Sequence, residues 1–435
     1  MDQTSAKENC IESGCGGMVR PGGVHAKRMA QVSLVLVLGC VTANCVLSET
    51  AKSAEAFADS VGINVHLSYT DSAYVTKFDV VRDALVDLHV HHLREGLVEA
   101  GDPAYFSHLH ELGQLGFKAI FITTPDQGES TLESFPARVG PIFEGYEAPN
   151  EFDQSRAPDW TGTLRSYMGT LHTVSTRMRI PVIGPSLTKP PSFALLGDVS
   201  TLITYGNLHN YPAGRHPGTH GWGANGYGSL TYNVANVERY AGDLPVMTTE
   251  TGYTNDAGAS NAVTEELAAK YLPRLIAYQF SAGISRTYIY ELLSSGHEDF
   301  GILSRDARKR PAYFALEELM KMADDRTENR SPGSLDLHIS GGNGDVQHLL
   351  LQKADGSFLL LIWIEASGYD VPHAAPVDVA AQNVTLTLPW TPHSIVDFQW
   401  GPGGAVTHRS IEPAALVSVP VSDYMSVVEL VPGKL

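Results

Sequence analysis

A short apolar run at residues 141–143 leads through Gly145 and Tyr146 to the polar pair Asn150-Glu151. This pattern is typical of a buried strand that ends in polar residues. The same arrangement returns at residues 244–250, where a β-prone run ends in a glutamate followed by a Gly turn. Carboxylates at the ends of parallel strands lie at the carboxyl face of an α/β sheet, where such folds keep their catalytic groups. The two glutamates therefore predict an α/β fold with a functional site between these strand ends.

The spacing of the two glutamates points to one kind of barrel. Glu250 follows Glu151 by 99 residues, about three strand-helix units of roughly 30 residues each. An Asn-Glu pair ending one strand and a lone Glu ending a strand three units later resemble the clan A glycoside hydrolases, (β/α)8 barrels with Glu on the fourth and seventh strands. The layout is most similar to the xylosidase, iduronidase and glucuronidase branches, which carry a C-terminal β-sandwich. Their Trp-Asn-Glu-Pro-Asn pattern is replaced here by Pro149 before the pair and Phe152 after it.

The rest of the chain supplies the other strands that such a barrel needs. Strand patterns alternate with helical patterns, which are visible after the first, second, fourth, seventh and eighth strands, the last at residues 311–323. We therefore expect a (β/α)8 TIM barrel at residues 58–324. The predicted strands are residues 61–67, 90–96, 118–123, 141–147, 181–186, 206–211, 244–250 and 286–292.

The sequence changes character beyond residue 324. Residues 325–333 are polar and end in Pro-Gly, which is typical of a linker. Only strand patterns follow it, separated by turn residues. They predict a small all-β sandwich at residues 334–435.

The first 49 residues are predicted to be a targeting segment. Basic residues precede an apolar run at residues 32–38, and small residues follow it up to Ala43, as in a secretory signal. Cleavage after Ala43 would release the protein. A weak lipobox ending at Cys40 would instead make this cysteine a lipid-anchored N-terminus. A start at Met18 would give a signal of more ordinary length. The apolar run is shorter than the about 20 residues that span a bilayer, so we expect a secreted, cell-surface or periplasmic protein without a membrane span.

Composition limits the partners and the chemistry. The 435 residues carry a formal charge of −18 with both signs interspersed, which argues against nucleic acid as a partner. All four cysteines lie in the first 45 residues, so a processed chain would contain no disulfide. The sequence has no GxSxG elbow, Walker loop or dinucleotide-binding GxGxxG, which disfavours serine esterases, nucleotide hydrolases and dehydrogenases. We expect a monomer with a carbohydrate substrate and no cofactor.

Hydrolysis of a glycosidic bond needs one carboxyl group that protonates the leaving oxygen and a second that meets the anomeric carbon. The resemblance implies that Glu151 is the acid/base and Glu250 the nucleophile of a retaining mechanism with a covalent glycosyl-enzyme. It also implies supporting roles by strand and order. Arg94 would keep Glu250 ionised, Asn150 would bind the sugar 2-hydroxyl, and Tyr211 would donate a hydrogen bond to the nucleophile.

Further side chains at strand ends and in loops are expected to bind sugar. Those at strand ends would line subsites, and aromatic rings in loops would stack on sugar faces. They are His66, His209 and Glu291 at the ends of strands one, six and eight, and Trp222, Tyr227 and Tyr253 in loops.

Several other interpretations stay open at this point. His89, His91 and His92 would suit a metal-dependent hydrolase, because imidazoles are common metal ligands, although no HExxH or CxxC accompanies them. The same architecture also suits a catalytically silent barrel that only binds carbohydrate. Guanidinium groups could recognise a uronic acid or form internal ion pairs; the candidates are Arg94, Arg215 and Arg286. The sequence thus predicts a secreted retaining glycoside hydrolase that cleaves β-type bonds in a poly- or oligosaccharide.

Overall fold

The computed structural model describes residues 48–99, 102–295, 299–325 and 331–433. Residues 1–47 of the predicted targeting segment, with Met18, Cys40 and Ala43, lie outside the described residues. No helix within the described part of the chain is long and apolar enough to cross a membrane.

Eight parallel strands form the barrel that the sequence predicts. Two short strands, β1 (Glu49–Thr50) and β2 (Lys52–Ser53), and helix α1 (Ala54–Asp59) precede it. The barrel strands are β3 (Val61–Asn64), β4 (His92–Gly96), β5 (Lys118–Ile122), β6 (Phe143–Glu147), β7 (Val182–Ile183), β8 (Gly206–His209), β9 (Val246–Thr251) and β10 (Arg286–Ile289). They pair in the order β7-β6-β5-β4-β3-β10-β9-β8, and a single parallel bridge between Ile183 and Tyr205 closes the ring.

Helices follow all eight strands. Those after β5, β7 and β8 have no counterpart in the predicted pattern. In the helix after β5 (Glu129–Val139) an internal Pro136 obscures the spacing of its buried apolar residues. The helix after β7 (Pro190–Leu196) has only seven residues and begins with two prolines. The helices are α2 (Ala73–Thr76), α3 (Phe78–Asp87), α4 (Pro103–Gln114), α5 (Glu129–Val139), α6 (Trp160–Met178), α7 (Pro190–Leu196), α8 (Leu230–Ala241), α9 (Glu265–Ser281) and α10 (Pro311–Ala323).

The barrel interior is layered, which places polar groups at its carboxyl end. The middle layer is apolar and includes Ile120, Ile183, Met247 and Tyr288. Towards the amino ends of the strands lies an ion cluster, formed by His92, Glu144, Arg286 and the nearby Asp59. Towards the carboxyl ends lies a polar layer made of Asn64, Arg94, Glu147, Asn207 and Thr249. The candidate site lies directly on this polar layer.

The C-terminal region forms the predicted sandwich and takes in strand β2 from before the barrel. A three-stranded sheet, β12-β17-β20, faces a six-stranded sheet, β19-β18-β21-β14-β13-β2. Strand β1 pairs with β11, and β15 pairs with β16. The strands are β11 (Ser334–Leu335), β12 (His338–Ser340), β13 (Val346–Gln352), β14 (Phe358–Ile364), β15 (Tyr369–Asp370), β16 (Ala375–Pro376), β17 (Gln382–Thr387), β18 (Ser394–Trp400), β19 (Val406–Ile411), β20 (Leu416–Val421) and β21 (Ser426–Val431).

Strand β14 explains how the sandwich attaches to the barrel. All seven of its residues are buried, because successive side chains point to opposite faces. Leu360 and Ile362 enter the sandwich core, whereas Leu361 and Trp363 join the core that includes the barrel. The continuous apolar sequence of this strand reflects burial on both faces.

Tight packing inside the barrel generates a stability prediction. A Cβ at Gly62 would lie 2.3 Å from Cδ1 of Tyr288, so we expect Gly62→Ala to destabilise the protein by about 1–3 kcal/mol. Gly96, on the neighbouring strand, has no heavy atom within 4 Å of such a Cβ, and Gly96→Ala is the control. Urea unfolding checks both; equal midpoints for the two variants would contradict the prediction.

Candidate active site

Glu151 and Glu250 lie at the carboxyl ends of the fourth and seventh barrel strands, β6 and β9. Glu250 is within β9, whereas Glu151 follows β6 in a left-handed conformation with φ 44° and ψ 39°. Such a backbone is uncommon outside glycine and tends to occur at functional sites. The N–H of Glu151 donates to Ser186 Oγ at 3.0 Å, which helps to hold this conformation. The side chain of Glu151 is 29% exposed and that of Glu250 is 12% exposed.

His209, at the end of β8, lies between the two carboxylates. Its Nδ1 is 2.9 Å from Glu151 Oε1 and 3.4 Å from Glu250 Oε2. This nitrogen and one oxygen of each glutamate all lie within 4.8 Å of one another. Gln154 Nε2 donates to the other oxygen of Glu151 at 2.6 Å. The two carboxyl groups therefore face one small volume.

Arg94 binds Glu250 from inside the barrel. Its guanidinium is buried, and Nη1 donates to Glu250 Oε1 at 2.7 Å and to Asn64 Oδ1 at 2.8 Å. Nε and Nη2 donate to the two oxygens of Glu147 at 2.7 and 2.8 Å. Nη2 also donates to Asn150 Oδ1 at 2.6 Å. All five N–H groups of Arg94 are thus satisfied.

These contacts favour the ionised form of Glu250. Burial alone would raise the pKa of Glu250, but the charges of His209 and Arg94 and the hydrogen bond from Arg94 outweigh it, so the pKa of Glu250 lies below its ordinary value. Tyr211 Oη donates to Glu250 Oε2 at 2.9 Å and acts in the same direction. Burial and the charge of Glu250 raise the pKa of Tyr211, which keeps this hydroxyl a donor.

Asn150 also lies beside the catalytic candidates. Its Oδ1 accepts from Arg94 and from Ser186 Oγ, the latter at 3.3 Å. The carbonyl end of the amide is therefore committed to the protein. The amide nitrogen is the group that remains to donate to a sugar hydroxyl.

Two cavities meet at Glu151. The larger has a volume of about 390 Å³ and touches both glutamates. The smaller has a volume of about 270 Å³ and touches Glu151 but not Glu250. Tyr211 and Ala213 border both cavities. The two spaces therefore form one cleft that passes the carboxylate pair.

The other predicted residues have different surroundings, and His66 and Glu291 border neither of the two cavities. His66 Nε2 lies 3.2 Å from Glu291 Oε2, outside hydrogen-bonding geometry, and the His66 ring stacks on Tyr69 with centroids 4.6 Å apart. Trp222 and Tyr227 border the smaller cavity.

Tyr253 differs from the stacking platform that was expected. It borders the larger cavity but is only 3% exposed. Its ring packs on Tyr271, and its hydroxyl donates to the carbonyl of Arg215 at 2.9 Å. The ring is thus a wall of the cleft rather than a free aromatic face.

Sequence patterns missed several residues of the site. Glu147, the buried partner of Arg94, also accepts from Asn207 Nδ2 at 3.0 Å. The period-two pattern of β6 could have placed it in the interior, four residues before Glu151. Tyr290 and Phe300 border the larger cavity, and their rings pack together with centroids 5.6 Å apart; no local signal marks Phe300.

The histidines considered for a metal lie elsewhere and do not converge. His92 contacts Asp59 and Glu144 at the amino end of the barrel, whereas His89 and His91 face Asp324. Among the described residues, the group of three whose donor atoms could converge on a metal ion is instead Glu151, His209 and Glu250.

The three arginines considered for a uronic acid also have different surroundings. Arg94 and Arg286 form ion pairs with glutamates inside the barrel, so neither guanidinium is available to a substrate carboxylate. Arg215 lies over the Trp222 ring, 4.2 Å from its centroid.

Comparison with known proteins relates this chain to solved structures by fold alone. No family model and no curated protein matches the sequence. An endo-β-1,6-glucanase superposes with a TM-score of 0.50 at 8% identity, over 88% of this chain and 93% of that chain. An α-amylase from Lactobacillus plantarum gives 0.44 at 10% identity, over 87% and 100% of the two chains. A modular endo-β-1,4-mannanase from Cellulomonas fimi gives 0.39 at 10%, over 89% and 99%. At these identities the similarity shows the fold alone.

The contact between Tyr211 and Glu250 gives a pH prediction. Tyr211→Phe removes a hydrogen bond that favours the carboxylate, so the pKa of Glu250 should rise and Glu250 should take up its proton at higher pH. Tyr313→Phe is the control, because that buried hydroxyl donates to the carbonyl of Ala84, away from the site. NMR titration of ¹³C-labelled glutamates checks this, with the signal of Glu250 assigned by its loss in Glu250→Gln. An unchanged titration in Tyr211→Phe would contradict the prediction.

Proposed function

We propose that this protein is a retaining glycoside hydrolase that cleaves β-type bonds in a poly- or oligosaccharide. The observation that carries the proposal is the pair of glutamates on the fourth and seventh strands, with oxygens within 4.8 Å of each other in one cleft. Glycosidases use two carboxyl groups across the scissile bond, about 5–5.5 Å apart in retaining enzymes and about 6.5–9.5 Å apart in inverting ones. Oxygens this close fit the retaining geometry, which supports a covalent intermediate on Glu250.

The surroundings of each glutamate suit a different role. Glu250 is deep, ionised and held by Arg94 and Tyr211, as a nucleophile must be. Glu151 is more exposed and is contacted by His209 and Gln154. In the first step Glu250 attacks the anomeric carbon while Glu151 gives its proton to the leaving oxygen. In the second step Glu151 takes a proton from water, which attacks the same carbon and frees Glu250.

The two cavities suggest how a substrate lies in the cleft. The sugar that is attacked must contact both glutamates, which fits the larger cavity. The leaving group must contact Glu151 alone, which fits the smaller cavity with Trp222 and Tyr227. Aromatic side chains there suit the faces of a sugar ring, so the leaving group is itself a sugar.

Membership of clan A, secretion and the division into domains are parts of the same proposal. The positions of the two glutamates support the clan, whose branches include polysaccharide-degrading enzymes. The basic and apolar pattern before Ala43 supports export. The change of pattern after residue 324 supports a catalytic barrel at 58–324, a linker at 325–333 and a sandwich at 334–435.

Turnover by site variants tests the proposal. Wild type, Glu151→Gln and Glu250→Gln are compared on a panel of aryl glycosides and polysaccharides. We expect Glu250→Gln to lower kcat by at least about 10³-fold on every substrate, because the nucleophile is lost. Glu151→Gln should lose about 10²–10⁴-fold on natural linkages and much less on dinitrophenyl glycosides, whose leaving group needs no proton. Glu144→Gln, on the same strand at the opposite end of the barrel, is the control for folding.

Two further readouts separate this function from its alternatives. An activated fluorosugar should form an adduct on Glu250, and proton NMR should show retention at the anomeric carbon. Activity abolished by a chelator would favour a metal-dependent hydrolase. Sugar binding without turnover by the wild type would indicate a binding barrel, and full activity in either site variant would overturn the assignment of roles.

A further inference from the structure

One loop borders both cavities of the cleft. Residues 210–229 connect β8 to α8 and form what we call the β8–α8 loop. Its beginning, with Tyr211 and Ala213, borders both cavities, and Gly214 borders the larger one. Its end, with Trp222 and Tyr227, borders the smaller cavity. The position of this loop therefore sets the shape of the cleft on both sides of the carboxylate pair.

Between these two parts, a single carboxylate of the sandwich holds the loop. Glu365 directly follows β14, and its Oε1 accepts from the N–H of Gly218 at 2.8 Å and lies 2.7 Å from His216 Nδ1. The same oxygen accepts from Arg274 Nη2 of α9 at 2.9 Å. The other oxygen accepts from Trp363 Nε1 at 2.5 Å. The side chain of Glu365 is 8% exposed, so this is a buried charge with four donors.

Glu365 stays ionised over the range in which proteins normally work. Burial raises the pKa of Glu365, but Arg274 and His216 outweigh this effect and lower it to about 2. Because the folded pKa is depressed, the stabilising contribution of the carboxylate is present above its ordinary pKa and is lost as the pH falls towards about 2.

We propose that Glu365 is a positioning residue of the active site, which acts from the sandwich to fix the β8–α8 loop so that Tyr211 meets Glu250 and Trp222 meets the leaving group. The inference rests on the proposed function, which assigns those two partners. On this basis the sandwich completes the cleft in addition to covering the barrel.

The fit around Gly218 indicates a specific contact rather than general packing. A Cβ at position 218 would lie 2.8 Å from Cγ of Glu365, so only glycine lets the loop come this close. From the barrel side, Tyr253 holds the carbonyl of Arg215. The centre of the loop is therefore fixed from two directions, and Glu365 supplies the contact from the sandwich.

Within the described part of the chain, the other polar links between the sandwich and the barrel reach helices, as two examples show. Lys270 Nζ of α9 donates to Asp423 Oδ2 at 2.9 Å. Trp400 Nε1 donates to the carbonyl of Ala315 in α10 at 2.8 Å. The Lys270 ion pair is thus a matched control, since it joins the same helix as Arg274 to the sandwich.

The test uses variants of the full chain that leave Glu365 in place, because its removal would leave Arg274 buried without its carboxylate. His216→Ala removes a donor, His216→Asn keeps a donor near the position of Nδ1, and Gly218→Ala inserts a methyl group against Glu365. We expect His216→Ala and Gly218→Ala to lower kcat/KM on oligosaccharides roughly ten-fold and to speed amide hydrogen exchange in the β8–α8 loop. His216→Asn and Lys270→Gln should retain the wild-type values of both.

Hydrogen exchange and kcat/KM test two separate parts of the proposal. Hydrogen exchange needs no substrate. Unchanged exchange in His216→Ala and Gly218→Ala would therefore show that Glu365 does not hold the β8–α8 loop. Faster exchange with unchanged kcat/KM would overturn the positioning role, as would an equal loss of kcat/KM in Lys270→Gln or in His216→Asn. If the wild type turned over no glycan, the proposed function would fail, while the exchange data would still decide whether Glu365 holds the loop.

Discussion

The candidate site depends on one buried guanidinium. An unpaired charge in a protein interior is costly, so Arg94 requires partners for its charge and for each of its N–H groups. Both oxygens of Glu147 accept hydrogen bonds from the Arg94 guanidinium. This bidentate geometry is the one in which such pairs are strongest. The remaining donors then reach Glu250 and Asn150. A single residue of the second strand thereby fixes groups on the fourth and seventh strands and in the loop after the fourth.

This arrangement gives the two catalytic candidates unlike environments. Glu250 rests against the cation and a tyrosine hydroxyl, whereas Glu151 lies at the rim and contacts an imidazole and an amide. Different surroundings for two nearby carboxyl groups are what allow one to act as a base or nucleophile and the other as an acid. The proposed division of roles therefore rests on the depth of each side chain in the barrel.

Local patterns placed Glu151, Glu250, Arg94 and Tyr211 at the ends of strands, and the structure brings these four side chains together. The same patterns gave the eight strands and the sandwich. They did not give Glu147 or Glu365, whose importance comes from partners 53 and 91 residues away along the chain. Adjacency is a poor guide for the histidines, since His89 and His91 both face Asp324. Strand alternation sends His92 to the other side, into the ion cluster of the barrel.

The sandwich and the site are linked by the same strand that joins the sandwich to the barrel. Alternate residues of β14 enter two different cores, and the residue that follows them is Glu365. Residues at the end of a strand with both faces buried have little freedom to move, which is the condition for holding a loop precisely. A barrel without its sandwich would expose the apolar face under Trp363 and lose the carboxylate that holds Gly218. The sandwich therefore covers the barrel and shapes the cleft through the same strand, β14.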